Sequence, residues 1–362
     1  MAKLFALLAL IVGVMGGTCP SYSCGNKNAF SDGQCVIANT TSNTLMIQPC
    51  KGNLACNTTD AVDNFYCVAP APVIAANNTL YPGEHCSYAY QCKNNYNCTN
   101  GYCSGVALDG DCLDSEECAP GLRCNPDSAT CTATLNIGES GCYNEFDCMN
   151  GAGCNKNASA STGTCVAYYS LNINANVSNC NDDTKTSSLC STGSCEVYSA
   201  LGTEGYCISA IKSPSLQKTC TLDSDCYGVS GNITATGTCS CGYNVNGNAY
   251  CDLFPGDSEY TKYISLLVKY FHNAKVNSVC NVMARLNDDC IQQALSVDEY
   301  YFLKQYEYAS QYYPEIQYND ACVKATYNSY YWDLVNNNND IDDDDDDDSA
   351  GLLALVAAAY LF

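Results

Sequence analysis

Cysteine is the residue type whose number and spacing could carry chemistry in this chain. Thirty of the 362 residues are cysteines, and a fraction above about 8% is typical of a disulfide scaffold. Thiolate metal sites are the main alternative, but histidine, the frequent partner of cysteine in zinc sites, occurs only at His85 and His272. The even count allows every thiol to be paired, and the sequence leaves the connectivity open.

The cysteines recur in blocks of similar spacing. Three consecutive blocks follow C-x5-C-x5-C, a variable gap and a fourth cysteine: Cys86, Cys92, Cys98 and Cys103; Cys112, Cys118, Cys124 and Cys131; Cys142, Cys148, Cys154 and Cys165. A looser block and a five-cysteine block follow: Cys180, Cys190, Cys195 and Cys207; Cys220, Cys226, Cys239, Cys241 and Cys251. Two triplets precede them: Cys19, Cys24 and Cys35; Cys50, Cys56 and Cys67.

This spacing predicts disulfides rather than metal ligands. Zinc sites favour C-x2–4-C pairs, and Cys239-Ser-Cys241 is the only tight pair, which we interpret as a shared disulfide site. An acidic residue or amide precedes the second cysteine: Gln91, Glu117, Asp147 and Asp225. Glycine or asparagine stands three residues after that cysteine, which predicts a left-handed turn: Asn53, Asn95, Gly121, Gly151 and Gly193.

A family resemblance rests on two of these blocks. Residues 83–103 and 110–131, with the sequence Cys118-Ala-Pro-Gly-Leu-Arg-Cys124, resemble the N-terminal cysteine-rich module of Dickkopf proteins. The overall plan resembles the cysteine-repeat surface proteins of ciliates. The likeness spans residues 80–252 and rests on cysteine spacing. The Dickkopf role as ligand of a signalling receptor does not follow from it, because short cysteine modules recur with unrelated functions.

Carboxylates and histidines are the remaining candidates for chemistry. Acidic residues near the second cysteines could bind calcium, although a dedicated loop needs more oxygen ligands at fixed spacing: Asp114, Glu116, Glu117, Asp223 and Asp225. His85 adjoins a structural cysteine and His272 ends a predicted helix, whose negative end favours it. The sequence contains no phosphate-binding loop, HExxH or GxSxG motif. We therefore predict no enzyme, no metal site and no cofactor.

The excess of acidic residues limits the classes of partner that the chain can bind. The formal net charge is −23, from 15 basic and 38 acidic residues. Nucleic acid requires a basic face, so we expect no nucleic-acid partner. Polybasic attraction to anionic lipid is excluded for the same reason.

Both ends of the chain have the pattern of processing signals. Lys3 and the apolar run after it predict a signal peptide over 1–16, with cleavage after Gly16 or, alternatively, after Gly17. The segment 336–362 is an Asn/Asp spacer followed by a short apolar tail, which is the pattern for glycosylphosphatidylinositol (GPI) attachment. The candidate attachment residues are Asn338, Asn339, Asp340 and Ser349.

Seven Asn-x-Ser/Thr sequons predict N-glycosylation of an exported chain. They are Asn39, Asn57, Asn77, Asn97, Asn157, Asn176 and Asn232. Asn97 is the weakest, since its middle residue is Cys98. All seven precede residue 250, so sugar would coat the repeats and leave the C-terminal region bare.

The elements that carry these groups are small. We predict N-terminal cysteine-rich units over 17–70, tandem four-cysteine repeats of short β-hairpins and loops over 80–252, and a small α-helical module over 257–335. Units this short and poor in aliphatic residues bury little apolar area, so disulfides must supply much of their stability. We expect each unit to contact mainly its neighbours.

Three helices are predicted in the C-terminal module. The first begins at Asp257 or Ser258 and carries one apolar face: Tyr260, Tyr263, Ile264, Leu267, Val268 and Phe271. The others span 277–294 and 296–313. We interpret the module as a cap over the last repeat, held by Cys280, Cys290 and Cys322, one of which pairs with the five-cysteine block. The alternative is a partner-binding helix face that carries tyrosines.

These patterns predict an extracellular glycoprotein of coat, adhesion or receptor-like binding type, attached to the outer leaflet of the plasma membrane by a GPI anchor. The ligand, protein or carbohydrate, is left open. A soluble secreted ligand or protease inhibitor is the alternative, since small disulfide modules also support those functions.

Overall fold

The computed structural model confirms the predicted fold class of small disulfide-rich β units followed by helices. It describes residues 19–26, 30–51, 54–57, 64–69, 77–157, 159–182, 184–199, 202–215, 219–317, 320–327, 331 and 334–335. The predicted signal peptide, the spacer, the apolar tail and all four candidate attachment residues lie outside the described residues, as does Asn53.

The N-terminal unit is a five-stranded sheet. Its strands are β1 (Ser21–Cys24), β2 (Gln34–Asn39), β3 (Thr44–Ile47), β4 (Ala55–Cys56) and β5 (Asn64–Val68). The order is β1-β3-β2-β5-β4, with β1 parallel to β3 and the other neighbours antiparallel. Val36 and Ile47 face each other across β2 and β3 and are fully buried, an apolar cross-strand pair that stabilises the sheet.

The disulfides regroup the two N-terminal triplets. Cys35–Cys56 and Cys50–Cys67 close within the sheet, so four cysteines from both triplets form one unit. Cys19 bonds to Cys241 and Cys24 bonds to Cys322.

Five repeats follow, each containing a short hairpin. We number them by cysteine block: repeat 1 (Cys86–Cys103), repeat 2 (Cys112–Cys131), repeat 3 (Cys142–Cys165), repeat 4 (Cys180–Cys207) and repeat 5 (Cys220–Cys251). Repeats 1 and 2 contain the hairpins β6 (Cys98–Thr99) with β7 (Tyr102–Cys103) and β8 (Leu122–Asn125) with β9 (Thr130–Ala133).

Repeats 3 to 5 add a third strand to the hairpin. The strands are β10 (Ser140–Cys142), β11 (Ala152–Asn155), β12 (Gly163–Ala167), β13 (Asn176–Val177), β14 (Cys195–Val197), β15 (Gly205–Cys207), β16 (Thr219–Cys220), β17 (Tyr227–Ser230), β18 (Ile233–Thr236), β19 (Cys239–Cys241) and β20 (Ala249–Cys251). β17 and β18 form a separate hairpin inside repeat 5.

One disulfide pattern recurs in the repeats. The third and fourth cysteines face each other across the hairpin, as Cys124 and Cys131 do in repeat 2. Each bonds instead to the loop before the hairpin, first cysteine to third and second to fourth, as in Cys112–Cys124 and Cys118–Cys131. The same pairing holds in repeats 1, 3 and 4 and in the N-terminal unit. Repeat 5 pairs its first cysteine with its third and its second with its fifth, Cys251, because its fourth, Cys241, bonds to Cys19.

The predicted left-handed turn forms in most blocks. Asn95, Gly121 and Gly193 have φ of 53°, 78° and 67°, as expected. Gly151 was predicted to share this conformation, but it is not among the residues with positive φ. A Cβ there would lie 2.7 Å from the carbonyl oxygen of Phe271, so glycine is required at 151 for the close approach of a helix.

The helices are α1 (Ser258–Phe271), α2 (Lys275–Val279), α3 (Asp288–Ala294), α4 (Val297–Gln311) and α5 (Ala321–Tyr327). Further turns are short 3-10 helices at Ala89–Gln91, Lys93–Asn95, Glu145–Asp147, Asp223–Asp225 and Tyr313–Ile316. The prediction for α1 was right in position, and α4 begins after Ser296, whose hydroxyl and Glu299 form a capping box.

The single helix predicted over 277–294 is wrong. α2 ends at Val279; the next residue, Cys280, is extended, and α3 begins only at Asp288. Between them Asn281 directs its side-chain amide to the carbonyl oxygens of Ser115 and Cys118 in repeat 2, at 2.9 and 2.7 Å. A continuous helix could not present these groups in the same way, and the tertiary contact overrides helix propensity.

The helical region contacts the last repeat through residues 313–316 but is more than a cap over it. None of its three cysteines bonds to the five-cysteine block, because Cys322 pairs with Cys24 and the other two have no disulfide. α1, α3 and α4 share a core with repeat 4, in which Leu267, Tyr270, Ile291 and Leu303 pack with the repeat's Leu189. α5 contacts the N-terminal sheet instead, where Val323 is fully buried with Val36. The expectation that units contact mainly their neighbours is therefore wrong, because the helices join distant units.

We call residues 275–294 the bridging segment, because they contact three successive repeats. Asn150 of repeat 3 donates to the carbonyl oxygens of Val276 and Cys280, both at 2.9 Å. Asn281 binds repeat 2, as described above. Toward repeat 1, the side-chain amide of Gln293 donates to the Gly83 carbonyl at 3.0 Å. A stretch of two short helices thus fixes the order and spacing of repeats 1 to 3.

Candidate interaction surface

The acidic residue or amide before the second cysteine of repeats 1, 2, 3 and 5 closes a turn. In repeat 3, Asp147 Oδ2 accepts hydrogen bonds from the backbone N–H groups of Tyr143 and Asn144, at 2.6 and 3.1 Å. The equivalent oxygens of Gln91, Glu117 and Asp225 accept from the backbone of their own repeats in the same way. The recurrence seen in the sequence has a structural cause, since the first and second cysteines are brought together by this side chain.

The other carboxylates considered as calcium ligands also contact groups of the protein. Asp114 Oδ1 accepts from the Glu116 backbone N–H at 2.8 Å. The Glu116 carboxylate pairs with Lys93 Nζ of repeat 1 at 2.5 Å. Asp223 Oδ1 accepts from the Cys239 backbone at 2.8 Å. These oxygens hold turns and join repeats.

The close groups of three cysteines consist entirely of disulfide-bonded residues. Each unit except repeat 4 contains one such group, for example Cys112, Cys118 and Cys131. Their sulfurs are already bonded to carbon and sulfur, and metal binding requires free thiolates. Cys239 and Cys241 do not share a site, because they bond to Cys220 and Cys19.

Both histidines make structural contacts. His85 Nδ1 lies 2.5 Å from Asp289 Oδ1 of the bridging segment, and its ring contacts that of Tyr102 with centroids 4.4 Å apart. His272 Nδ1 lies 2.7 Å from the Val268 carbonyl at the end of α1. The first histidine joins the start of repeat 1 to α3. The ring of the second lies against a helix carbonyl that also accepts the His272 backbone N–H at 3.1 Å.

The sequon asparagines are accessible. Asn39, Asn77, Asn97, Asn157, Asn176 and Asn232 are exposed, and Asn57 is half-buried. Asn157 and Asn176 line one cleft with Tyr198, whose hydroxyl donates to Asn176 Oδ1 at 2.5 Å. Glycans at these positions would cover the junction of repeats 3 and 4.

Repeat 1 exposes a pair of stacked tyrosines. The rings of Tyr88 and Tyr90 lie 5.3 Å apart and are inclined by only 8°. The two residues are 60% and 46% exposed. Tyrosine rings offer an apolar face and a polar hydroxyl to a partner, and we call these two residues the tyrosine pair.

Two clefts at the junction of repeats 3 and 4 are small and lined mostly by polar residues. A cleft of about 280 Å³ lies between repeats 3 and 4, where Lys156 and Glu204 contribute opposite charges to its lining. Pockets that enclose small-molecule ligands are usually larger and mostly apolar. An extended surface, rather than an enclosed pocket, is therefore the better candidate for recognition.

The described part of the chain has helices of at most 15 residues. None of its helices is long and apolar enough to cross a membrane.

One curated protein resembles this chain in sequence. Residues of this chain are 28% identical, over 221 residues, to cell-cell adhesion glycoprotein 64 of Heterostelium pallidum. The alignment covers 53% of this chain and 63% of that protein, so this chain spans less than two thirds of the relative's length. No family model matches the chain, and the likeness to the Dickkopf module therefore remains one of cysteine spacing. No solved structure gives a significant match.

Sequence reasoning missed the bridging function of the helices. The sign of it in the sequence was two asparagines, Asn281 and Asn287, within the segment predicted to form the second helix. Asn281 is fully buried, and Asn287 donates to Glu84 Oε1 at 2.9 Å. Their partners are backbone and side-chain oxygens of distant repeats, which the sequence does not reveal.

Proposed function

We propose that this protein is a non-enzymatic cell-surface glycoprotein of the adhesion type, and that its repeats contact a protein or carbohydrate on a neighbouring cell. The sequence similarity to a cell-cell adhesion glycoprotein carries the proposal. The architecture supports it, since fourteen disulfides hold a row of small units that would keep its shape outside the cell.

The tyrosine pair is our candidate contact surface. It is the exposed aromatic stack of repeat 1, and contact surfaces are enriched in tyrosine. Nucleic acid is not a proposed partner, because the net charge of −23 opposes it.

Cell aggregation tests the proposal. Cells that do not normally aggregate should do so when they display the full chain, and Tyr88→Ser with Tyr90→Ser should weaken aggregation severalfold. The matched control is Tyr66→Ser, since Tyr66 is 46% exposed in the N-terminal sheet. Absence of aggregation at normal surface display, both among the displaying cells and in mixtures with the cells that naturally carry the chain, would refute the adhesion function. Equal loss in both variants would refute the surface assignment alone.

We further propose attachment through a GPI anchor on the outer leaflet, which rests on the spacer and apolar tail at 336–362. Phosphatidylinositol-specific phospholipase C should release the protein from intact cells and move it from the detergent phase to the aqueous phase. Deletion of residues 352–362 should cause secretion. Recovery of the intact C-terminal peptide from the mature protein would refute the anchor and favour the second candidate, a secreted ligand or protease inhibitor.

A further inference from the structure

Two cysteines of the bridging segment stand apart from all the others. Cys280 and Cys290 are the two that have no disulfide, and both are fully buried. They belong to one small cluster with Ala284, against which Tyr81 and Val279 pack. The two thiols therefore face each other between the end of α2 and the first turns of α3.

The thiols are in direct contact. A hydrogen bond joins the Cys290 side chain to Cys280. The Tyr270 hydroxyl, which lies 2.5 Å from the Arg285 carbonyl oxygen, also contacts the Cys280 thiol. Contact with Cys280, together with burial, raises the pKa of the Cys290 thiol. The Cys290 thiol is thus held neutral, and both cysteines are shut off from solvent.

A metal site does not fit these surroundings. Cys280 and Cys290 are not part of any group of three or more potential ligand residues among the described positions. A structural zinc ion requires four ligands, and two neighbouring thiols supply only half of them. The same two sulfurs satisfy the requirement of a disulfide, which needs only a pair at close range.

We propose that Cys280 and Cys290 form a fifteenth disulfide in the mature protein. The two S–H bonds break, one S–S bond forms, and two electrons and two protons pass to an oxidant. The oxidant belongs to the class of protein or glutathione disulfides of the secretory route, which is reduced to two thiols in the exchange. Oxidation has to precede final packing, because the closed site shields both thiols.

This bond would stabilise the segment that joins repeats 1 to 3. The carbonyl of Cys280 accepts from Asn150 of repeat 3, and the next residue, Asn281, binds repeat 2. Beside Cys290, Asp289 accepts from the His85 backbone of repeat 1 at 2.7 Å. The bond would therefore connect the contacts to repeats 2 and 3 with those to repeat 1.

Tryptic peptide mapping of the full chain tests the bond directly. Trypsin cleaves after Lys275, Arg285 and Lys304, so the two cysteines fall into separate peptides, 276–285 and 286–304, with one cysteine each. After thiol alkylation in denaturant without reductant, we expect one species that contains both peptides joined and two hydrogens lighter than their sum. The peptide 305–324, which contains Cys322, should be cross-linked in the same digest and controls for disulfide retention.

Other outcomes overturn the proposal. Two separately alkylated peptides would show free thiols, and stoichiometric zinc that is lost on denaturation would show a metal site. In the variant Cys280→Ser, denatured protein should expose one alkylatable thiol where the native sequence exposes none. A count of two thiols in the native sequence and one in the variant would refute the bond even if the variant folded poorly.

A second measurement reports the consequence for the bridging segment. With Cys280→Ala and Cys290→Ala together, amide exchange over 275–294 should accelerate by about tenfold to a hundredfold, the effect of losing a short disulfide loop on local opening. Amides of β2 and β3 should be unchanged. Unchanged exchange in the bridging segment would also contradict the proposal.

Discussion

Repeat 2 and the helical region differ in what holds them together. In repeat 2 the buried apolar residues are the four cysteines themselves, with Val106 and Leu122 only partly buried beside them. The core shared by repeat 4 and the helices contains large apolar side chains that are at most 1% exposed, among them Tyr270, Ile291 and Leu303. A block of about 20 residues has too little apolar surface to fold by burial, and disulfides replace the missing core. The two long helices, α1 and α4, contain no cysteine and are held by this apolar core.

The largest effect is expected from removal of a repeat disulfide. Cys118→Ala with Cys131→Ala should lower the free energy of local unfolding of repeat 2 by about 4 kcal/mol, because no apolar core compensates for the lost cross-link. Amide exchange of β8 and β9 measures it. Leu113→Ala, at a side chain that is 91% exposed, is the control. If the free energy of unfolding fell no more than in the control, repeat 2 would not depend on its disulfides for stability.

A smaller effect is expected from the helical core. Leu303→Ala should destabilise α1 and α4 by about 3 kcal/mol, the cost of a cavity in a packed interior, since Leu303 is 1% exposed. Denaturant unfolding with intact disulfides should show it, and exchange of repeat 2 should not change. Leu286→Ala, where the residue is 48% exposed, should cost little. An equal loss of stability in repeat 2, measured by amide exchange, would show that the two regions unfold together.

Loss of the hydrogen bonds between repeat 2 and the bridging segment should destabilise the protein less than either of these changes. Asn281→Ala removes two hydrogen bonds to repeat 2 and leaves the carbonyls of Ser115 and Cys118 without that partner. We expect a loss of about 2 kcal/mol, seen as faster exchange in repeat 2 and the bridging segment together. Asn136→Ala, at an exposed linker position, is the matched control. Faster amide exchange in the helices alone would argue that the repeats do not depend on these hydrogen bonds.

The smallest effect concerns pH. Burial raises the pKa of Asp252, directly after repeat 5, to about 6 and that of Glu315 before α5 to about 7, and the charge of Asp252 adds to the second shift. The folded state therefore holds protons that the unfolded chain releases, so this stability is present at low pH and is lost as the pH rises through 6 to 7.

Both carboxylates are half-buried, so solvent screening limits the effect to about 1 kcal/mol between about pH 5 and about pH 8. The melting temperature should be higher at the lower pH. Asp252→Asn with Glu315→Gln should flatten this dependence. An unchanged pH profile in the double variant would show that other groups carry it.

The repeats were predictable from the sequence because their determinants are local. Spacing, the acid before Cys148 and the turn at Gly121 act within about 20 residues, and the structure shows why each is needed. The helices were predictable where an apolar face was continuous, as in α1. The bonds Cys19–Cys241 and Cys24–Cys322 were not, since pairing across more than 200 residues depends on how the units pack and not on spacing.

The bond between Cys24 and Cys322 spans 298 positions of sequence and affects how the molecule would respond to pulling. A force applied before Cys24 and after Cys322 would pass through one covalent cross-link and leave the repeats and α1 to α4 without load. The distance between those two points would stay short even if every hydrogen bond in between were broken. A force applied to repeat 1 and to the chain after Cys322 would, in contrast, reach the N-terminal sheet first. The molecule is thus inextensible along one axis and extensible along another.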